Sequence, residues 1–189
     1  MLQRTLQAWR AAGKNQGLWV FGYASLIWQP EFNFTEQRPA RVHGWHRALH
    51  MLSRINRGTP ACPGLVFALL SGGSCQGMAF HIDAAQVPEV LAQLWQREMP
   101  TGVYDPRWLR CSTASGNVQA LAFTLSRSSP NYCGLLSNAQ YAQIFSEACG
   151  SYGSTRDYAV QTYQGLLRVG IHDRALEKLL ANVGALQTG

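Results

Sequence analysis

The chain has 189 residues, of which 47% are hydrophobic and 14% are charged. This balance excludes an intrinsically disordered chain and predicts one folded domain with a sizeable core. No run approaches the roughly 18 consecutive apolar residues of a membrane span. Residues 1–10 also lack the continuous apolar stretch of a secretory signal, so we expect neither a membrane anchor nor secretion.

The net charge of +6 and the pI near 9.3 are compatible with a nucleic-acid partner or with small anionic substrates. Lys and Arg are dispersed along the chain rather than clustered. Attraction of small anionic substrates therefore explains the positive charge as well as nucleic-acid binding does. The five cysteines are an odd number and include no Cys-x-x-Cys pair. They predict free thiols in a reducing cytoplasm, and neither a disulfide framework nor a metal site.

The first predicted elements are a short helix over residues 3–12 and a polar turn over residues 14–17. An apolar, β-prone run follows and reaches Gly22, Ala24 and Ser25, which predicts a strand that enters a tight loop and then continues. Because Gly22 and Ala24 carry almost no side chain, a ligand can approach the backbone N–H groups of residues 23–26. A concave row of such donors binds an anion or oxyanion, although a strand with a glycine bulge explains the same pattern.

A loop is predicted over residues 30–39 and a strand over residues 40–49. His43 and His46 are three residues apart in this strand, so we expect them to face opposite sides and to have structural roles. Two further strands, residues 65–70 and 75–81, are separated by Ser71-Gly72-Gly73-Ser74. This arrangement predicts a β-hairpin with its turn at the glycine pair.

Asp83 is the predicted N-cap of a helix that reaches Met99. Its apolar face is formed at three- and four-residue spacing by Val87, Val90, Leu91, Leu94 and Trp95. One further turn of this face leads to Glu98, where desolvation would oppose ionisation of the carboxylate. The alternative is a frayed helix end that exposes Glu98 to water, because Pro100 and Gly102 follow at once.

Two strands, residues 104–111 and 118–125, flank a turn at residues 115–117. Together with the first three strands they predict a small closed or nearly closed antiparallel sheet. The last third of the chain is predicted to be helical. The three helices cover residues 139–148, 155–168 and 173–183, and their starts are marked by capping residues at Ser137 or Asn138, Ser154 and Asp173.

Residues 20–28 read Val-Phe-Gly-Tyr-Ala-Ser-Leu-Ile-Trp. This segment resembles the N-terminal signature of the ChaC-like γ-glutamylcyclotransferases, which usually carry glycine at the position of Ala24. Arg97-Glu98-Met99, followed by Gly102-Val103-Tyr104 and Arg107-Trp108, resembles the segment that carries the catalytic glutamate of that family. Further similar segments are residues 57–60, 63–65, 129–136, 150–154, 156–158 and 170–173.

The resemblance spans about residues 19–183. It implies an α+β fold, a small mixed β-barrel surrounded by helices, in a single domain over residues 1–189 with residues 1–17 as an N-terminal helical extension. It also implies an enzyme, a carbon–nitrogen lyase of the amidine-lyase class, that cleaves glutathione into 5-oxoproline and Cys-Gly. The α-amine of the substrate would attack its own γ-carbonyl, so no metal or cofactor is expected.

The same resemblance assigns the general acid/base role to Glu98. Substrate binding is expected from the backbone N–H groups of Tyr23, Ala24, Ser25 and Leu26. The hydroxyls of Ser25, Tyr132 and Tyr158 would assist, although Tyr158 is as well explained by packing. Ala24 departs from the family pattern, and if its position needs positive φ, alanine costs about 1 kcal/mol or more.

Three other functions stay open at this stage. Ser25 would be the nucleophile of a serine hydrolase, but its surroundings are not Gly-x-Ser-x-Gly and no helix obviously follows it. A nonenzymatic nucleic-acid binder would fit the basic pI, yet most aromatic residues lie in apolar runs. A cyclotransferase of the same fold could act on other γ-glutamyl amides. The leading expectation is a small-molecule substrate in the cytoplasm, with no nucleic acid, no membrane and no obligate protein partner.

Overall fold

The computed structural model of the chain describes residues 1–13, 17–99 and 102–186. Most of the predicted turn over residues 14–17 lies outside these ranges. The elements in chain order are α1 (Leu2–Ala11), β1 (Leu18–Gly22), α2 (Ser25–Trp28), β2 (Glu36–Ser53), β3 (Gly64–Ile82), α3 (Val87–Glu98), β4 (Asp105–Thr113), β5 (Gly116–Thr124), α4 (Asn138–Glu147), β6 (Cys149–Gly150), β7 (Gly153–Ser154), α5 (Thr155–Arg168) and α6 (Arg174–Asn182).

The chain divides into two compact units. The first contains Met1–His46 and Leu69–Ser126, and the second contains Arg47–Ala68 and Arg127–Gly189. Strands β2 and β3 contribute residues to each unit. The single domain expected from the sequence stays a prediction.

Five strands close into a barrel in the order β1-β3-β2-β4-β5. Strand β1 is antiparallel to β3 and parallel to β5, while β4 is antiparallel to both β2 and β5. The parallel pair makes the barrel mixed, so the antiparallel sheet expected from the strand pattern was wrong for the β1–β5 pairing. The predicted α+β fold with a small mixed barrel is confirmed.

Strand β3 runs without a break through Ser71-Gly72-Gly73-Ser74, so the predicted hairpin at these residues was wrong. Gly72 and Gly73 have φ values of +98° and +71°, which glycine adopts readily. His46 Nδ1 lies 2.8 Å from the Gly72 carbonyl oxygen. The glycine pair therefore forms an irregularity within a strand rather than a reversal of the chain. Strand β2 is also longer at both ends than predicted.

Helix α3 begins at Val87 and not directly after Asp83. Asp83 instead accepts a hydrogen bond from the Ala85 N–H in a preceding turn (2.9 Å), and Pro88 lies in the first turn of the helix, where its missing N–H is tolerated. Four apolar side chains of the predicted face are buried: Val87, Val90, Leu91 and Leu94. Helix α1 packs beside α3 in the same unit.

In the second unit, the three predicted helix starts are confirmed within one residue. Ser137 forms a capping box with Gln140 at the start of α4, and Ser154 Oγ accepts from the Asp157 N–H at the start of α5. Asp173 caps α6 by accepting from the Leu176 N–H, and its other carboxylate oxygen pairs with the almost fully buried Arg47 at 2.7 Å. The short strands β6 and β7 were not predicted.

Among the helices in the described ranges, none is long and apolar enough to cross a membrane. Within the same ranges, no group of three or more His, Cys, Asp or Glu side chains is placed to hold a metal ion.

Candidate active site

The signature segment ends strand β1 at Gly22 and then changes direction. Tyr23 and Ala24 form a bend, and the four-residue helix α2 begins at Ser25. The predicted continuation of the strand, and the expectation that no helix follows Ser25, were both wrong. The N–H of Ile27 donates to the Ala24 carbonyl (2.9 Å), so the turn is closed by backbone hydrogen bonding rather than by strand pairing.

Backbone N–H donors lie at the start of α2, directly after the bend, and their predicted role in binding substrate stays a prediction. The first N–H groups of a helix have no acceptor within the helix, and here they belong to Ser25 and Leu26. Tyr23, Ala24 and Leu26 have buried side chains, whereas the Ser25 side chain is half-buried. This turn therefore combines backbone donors with one hydroxyl that reaches the surface of the unit.

Ala24 has a φ of −143°, outside the left-handed region. The backbone cost considered for alanine at this position therefore does not arise. The glycine that the turn needs is Gly22, because a Cβ there would lie 2.9 Å from the Phe80 ring and 3.0 Å from Leu26 Cβ. Gly77 on β3 is more tightly constrained, since its Cβ would lie 2.3 Å from the Gly22 carbonyl oxygen.

Phe123 joins the turn at residues 22–26, the signature turn, to helix α3. The Tyr23 hydroxyl donates a 2.9 Å hydrogen bond to the Phe123 carbonyl, and the Phe123 ring contacts Trp95 of α3 at a centroid distance of 5.4 Å. These contacts fix the bend and the last turns of α3 against the same residue of β5.

Glu98 is the last residue of α3, and its side chain is only 16% exposed. The frayed, water-exposed helix end is therefore not what the structure shows. Burial raises the pKa of the Glu98 carboxyl, and this outweighs the lowering caused by the charge and hydrogen bond of Arg97. Glu31 contributes a smaller rise. A carboxylate with a raised pKa is a better proton acceptor than an ordinary glutamate.

Arg97 connects Glu98 to the segment that follows α2. Its Nε lies 3.1 Å from Glu98 Oε1, and its Nη1 donates to the Gln29 carbonyl (2.6 Å) and to Glu31 Oε2 (2.8 Å). The C-terminal end of α3 and the residues directly after α2 are therefore in contact through one guanidinium. This contact lies wholly within the first unit.

Tyr132 and Tyr158 lie in the second unit. The half-buried Tyr132 hydroxyl accepts a 2.8 Å hydrogen bond from Arg127 Nη1. Tyr158 is buried on α5, where its ring contacts Phe67 at a centroid distance of 5.5 Å and the Arg57 guanidinium at 4.8 Å. Packing is the observed role of Tyr158, and binding of substrate by either tyrosine stays a prediction.

Comparison with known proteins agrees with the resemblance of the signature segment. Residues 18–186 match the model of the ChaC-like protein family. This chain belongs to the ChaC-like family. A glutathione-specific γ-glutamylcyclotransferase of Escherichia coli is 34% identical over 96% of this chain and 80% of its own length. Glutathione-specific γ-glutamylcyclotransferase 1 of Rattus norvegicus is 30% identical, over 92% of this chain and 82% of its own length.

The fold is shared with solved structures at lower identity. The structure of a γ-glutamylcyclotransferase specific to glutathione from yeast superposes with a TM-score of 0.81, covering 90% of this chain and 96% of that chain at 22% identity. At that identity the likeness shows the fold alone, and it agrees with the ChaC-like barrel described above.

Sequence reasoning missed two features of this ChaC-like site. Helix α2 carries no start signal of its own, because its N-cap residue is Ala24 and makes no side-chain cap. The contacts of Arg97 with residues 29–31 were also missed. Glu31 lies in the loop predicted over residues 30–39 and carries no pattern that would indicate a partner on α3.

Proposed function

We propose that this chain is a glutathione-specific γ-glutamylcyclotransferase, which cleaves glutathione into 5-oxoproline and Cys-Gly. The observation that carries the proposal is the Glu98 carboxylate, which is desolvated at the end of α3, next to the segment that follows the signature turn. Membership of the ChaC-like family and the activity for which its relatives are named support the same reaction.

The reaction needs no nucleophile from the enzyme. The α-amine of the γ-glutamyl group attacks its own γ-carbonyl carbon and closes a five-membered ring, and the amide C–N bond to cysteine then breaks. The task of the protein is to hold the substrate in the attacking conformation. Well-oriented intramolecular reactions gain on the order of 7 to 11 kcal/mol from such positioning.

Glu98 acts as the general base in this proposal. A free α-amino group titrates near ~8 and is largely protonated at neutral pH. The attacking species is the neutral amine, which has released its first proton to solvent. Glu98 accepts the second proton, which this nitrogen loses as the new C–N bond forms, and returns it to the departing amide nitrogen as the old C–N bond breaks. One carboxyl thus serves both steps without a net change in its protonation.

The signature turn supplies the complementary charge. Negative charge develops on the γ-carbonyl oxygen, and the substrate also carries a permanent α-carboxylate. We assign the backbone N–H groups of Tyr23, Ala24, Ser25 and Leu26 to these oxygens, with the Ser25 hydroxyl as a further donor. The hydroxyls of Tyr132 and Tyr158 are assigned supporting roles in substrate binding on the family resemblance alone.

The proposal is tested by offering the purified protein glutathione, γ-glutamyl-alanine and a γ-glutamylamine, and measuring 5-oxoproline by mass spectrometry. Release from glutathione with matching Cys-Gly, at least about tenfold faster than from the other two, is the expected result. Equal release from all three would overturn glutathione specificity. No release from any of them would overturn the reaction. A cytoplasmic location stays a prediction based on the scattered free thiols.

A further inference from the structure

We propose that Arg97 is a positioning residue for Glu98, and that residues 29–31 hold its guanidinium in the geometry this requires. The inference rests on the proposed function, in which Glu98 is the general base. Arg97 itself need not touch the substrate. It would act by fixing the carboxylate of its neighbour on the helix.

The contacts of Arg97 divide between two of its nitrogens. Nη1 donates to the carbonyl oxygens of Gln29 (2.6 Å) and Pro30 (3.3 Å) and to Glu31 Oε2 (2.8 Å). Nε is left for Glu98, whose Oε1 lies 3.1 Å away. The planar guanidinium makes these two directions rigid with respect to each other, so holding one side of the group also orients the other.

This geometry would not arise from the helix alone. Consecutive residues on a helix point about a quarter of a turn apart and do not normally face each other. The Arg97 side chain must fold back to reach Glu98, which costs rotamer entropy for a long flexible side chain. The acceptors of residues 29–31 offset that cost, and they come from the segment that immediately follows the signature turn.

Glu31 has an unusual backbone conformation at this point. It is the one non-glycine residue in the described ranges with φ in the left-handed region, at +57°. Such conformations persist where surrounding contacts determine them, and they are concentrated at functional sites. Both Glu31 carboxylate oxygens have partners, since Oε1 accepts from the Gln29 amide and Oε2 accepts from Arg97.

The two charged partners act on Glu98 in opposite directions. Arg97 lowers the pKa of Glu98 and Glu31 raises it, and these are the charged groups that act on Glu98 in the described part of the chain. The Arg97 side chain is 21% exposed and that of Glu31 is 53% exposed, so the influence of Glu31 is the weaker and the more easily screened by salt.

A pocket of about 270 Å³ lies beside this contact. It is lined by Pro30, Glu31, Phe32, Gln93, Leu94, Gln96 and Arg97. Removing the Arg97 side chain would leave a space that opens into this pocket. A free guanidinium ion could then enter and contact the same acceptors, which permits a chemical-rescue experiment.

The experiment compares kcat and the pH profile of kcat/KM for wild type, Arg97→Ala, Arg97→Lys and Glu31→Gln. Arg110→Ala, on the exposed face of β4, is the matched control. Arg97→Ala should lower kcat about 10- to 100-fold and move the acid limb up by about one pH unit. Arg97→Lys should keep the pH of the acid limb near its wild-type value but should not restore kcat, because one ammonium group cannot contact both residues 29–31 and Glu98. Glu31→Gln should move the acid limb of kcat/KM to slightly lower pH.

Guanidinium chloride at low, non-denaturing concentration should restore part of kcat to Arg97→Ala, whereas matched sodium chloride should not. An unmoved acid limb together with no guanidinium rescue would overturn the inference, even if Arg97→Ala is less active through lost stability. The substrate amine titrates identically for every variant, so differences between the pH profiles arise from groups of the enzyme. Full activity of Glu98→Gln would instead overturn the general-base role of Glu98, and with it this inference, whereas absence of 5-oxoproline release by wild type would overturn the proposed function.

Discussion

The Tyr23 hydroxyl donates a 2.9 Å hydrogen bond to the carbonyl of Phe123, one hundred residues away in sequence. Phe123 lies opposite Pro106 in the β4–β5 ladder. The Tyr23 hydroxyl is the donor that the signature turn supplies to this strand. The bond anchors the bend at Tyr23 to the barrel, close to the point where Trp95 of α3 meets the same residue.

The first prediction concerns Tyr23→Phe. The variant leaves a buried carbonyl without this donor, so the free energy of unfolding should fall by about 1–3 kcal/mol. The backbone N–H of residue 23 is unchanged, and kcat/KM should fall less than tenfold. Urea unfolding and steady-state kinetics measure the two effects. An unchanged free energy of unfolding would show that the hydrogen bond does not anchor the turn.

Gly77→Ala is predicted to disturb the signature turn from the neighbouring strand. Its Cβ would lie 2.3 Å from the Gly22 carbonyl oxygen and 2.8 Å from the Phe21 ring, so β1 must shift. Overpacking of this kind costs about 1–3 kcal/mol, and the shift should also lower kcat/KM.

Gly116→Ala serves as the control for this variant. It places alanine at φ +106° with no atom within 4 Å of the new Cβ. It should cost about 1 kcal/mol of stability through the backbone alone and leave kcat/KM unchanged. Equal kinetic effects of the two substitutions would refute the role given to Gly77.

Ala24→Gly restores the residue usual in the ChaC-like signature. Since φ at this position is −143°, the turn does not require the left-handed conformations that glycine provides. We expect kcat/KM with glutathione to stay within about threefold of wild type, a change below about 1 kcal/mol in barrier height. A tenfold or greater gain in activity would show that the alanine limits this enzyme.

The parts of the fold that were predictable from the sequence depend on local interactions. Ser154 and Asp173 mark the starts of α5 and α6 because each cap spans only three residues. The glycine pair at Gly72 and Gly73 was misread because turns and strand irregularities use the same residues. Which of the two forms depends on contacts with β2, whose His46 contacts Gly72, 26 positions away in sequence.

The same limit applies to the candidate site. The three- and four-residue spacing on α3 was enough to place Glu98 at the end of the buried face. Its neighbour Arg97 was not predicted to matter, because the contact with Gln29 spans 68 positions in sequence. Helix α2 was missed for a related reason, since its four residues are held by tertiary burial of Leu26 and Ile27 rather than by a cap.

Glu98→Gln is predicted to be more stable than wild type at neutral pH. Burial raises the pKa of Glu98 above its unfolded value of 4.5, so the folded state binds the proton more tightly than the unfolded state. The stabilisation from this group is complete below the unfolded pKa and is lost as pH rises through the folded pKa. A neutral glutamine does not undergo that loss.

Urea unfolding at neutral pH and below pH 4 tests this prediction. The variant should be the more stable protein at neutral pH, and the difference should shrink in acid, where wild-type Glu98 is protonated. A variant that is less stable than wild type at neutral pH would mean that the Arg97 contact outweighs burial at this site.

Glu98 is the general base of glutathione cleavage in the proposed function, and 5-oxoproline release by wild type and by Glu98→Gln is the decisive measurement of this role. Both proteins would be assayed with saturating glutathione, after far-UV circular dichroism has shown that both are folded. We expect release by wild type and a loss of at least about a hundredfold in the variant. Equal release by the two proteins would contradict this role.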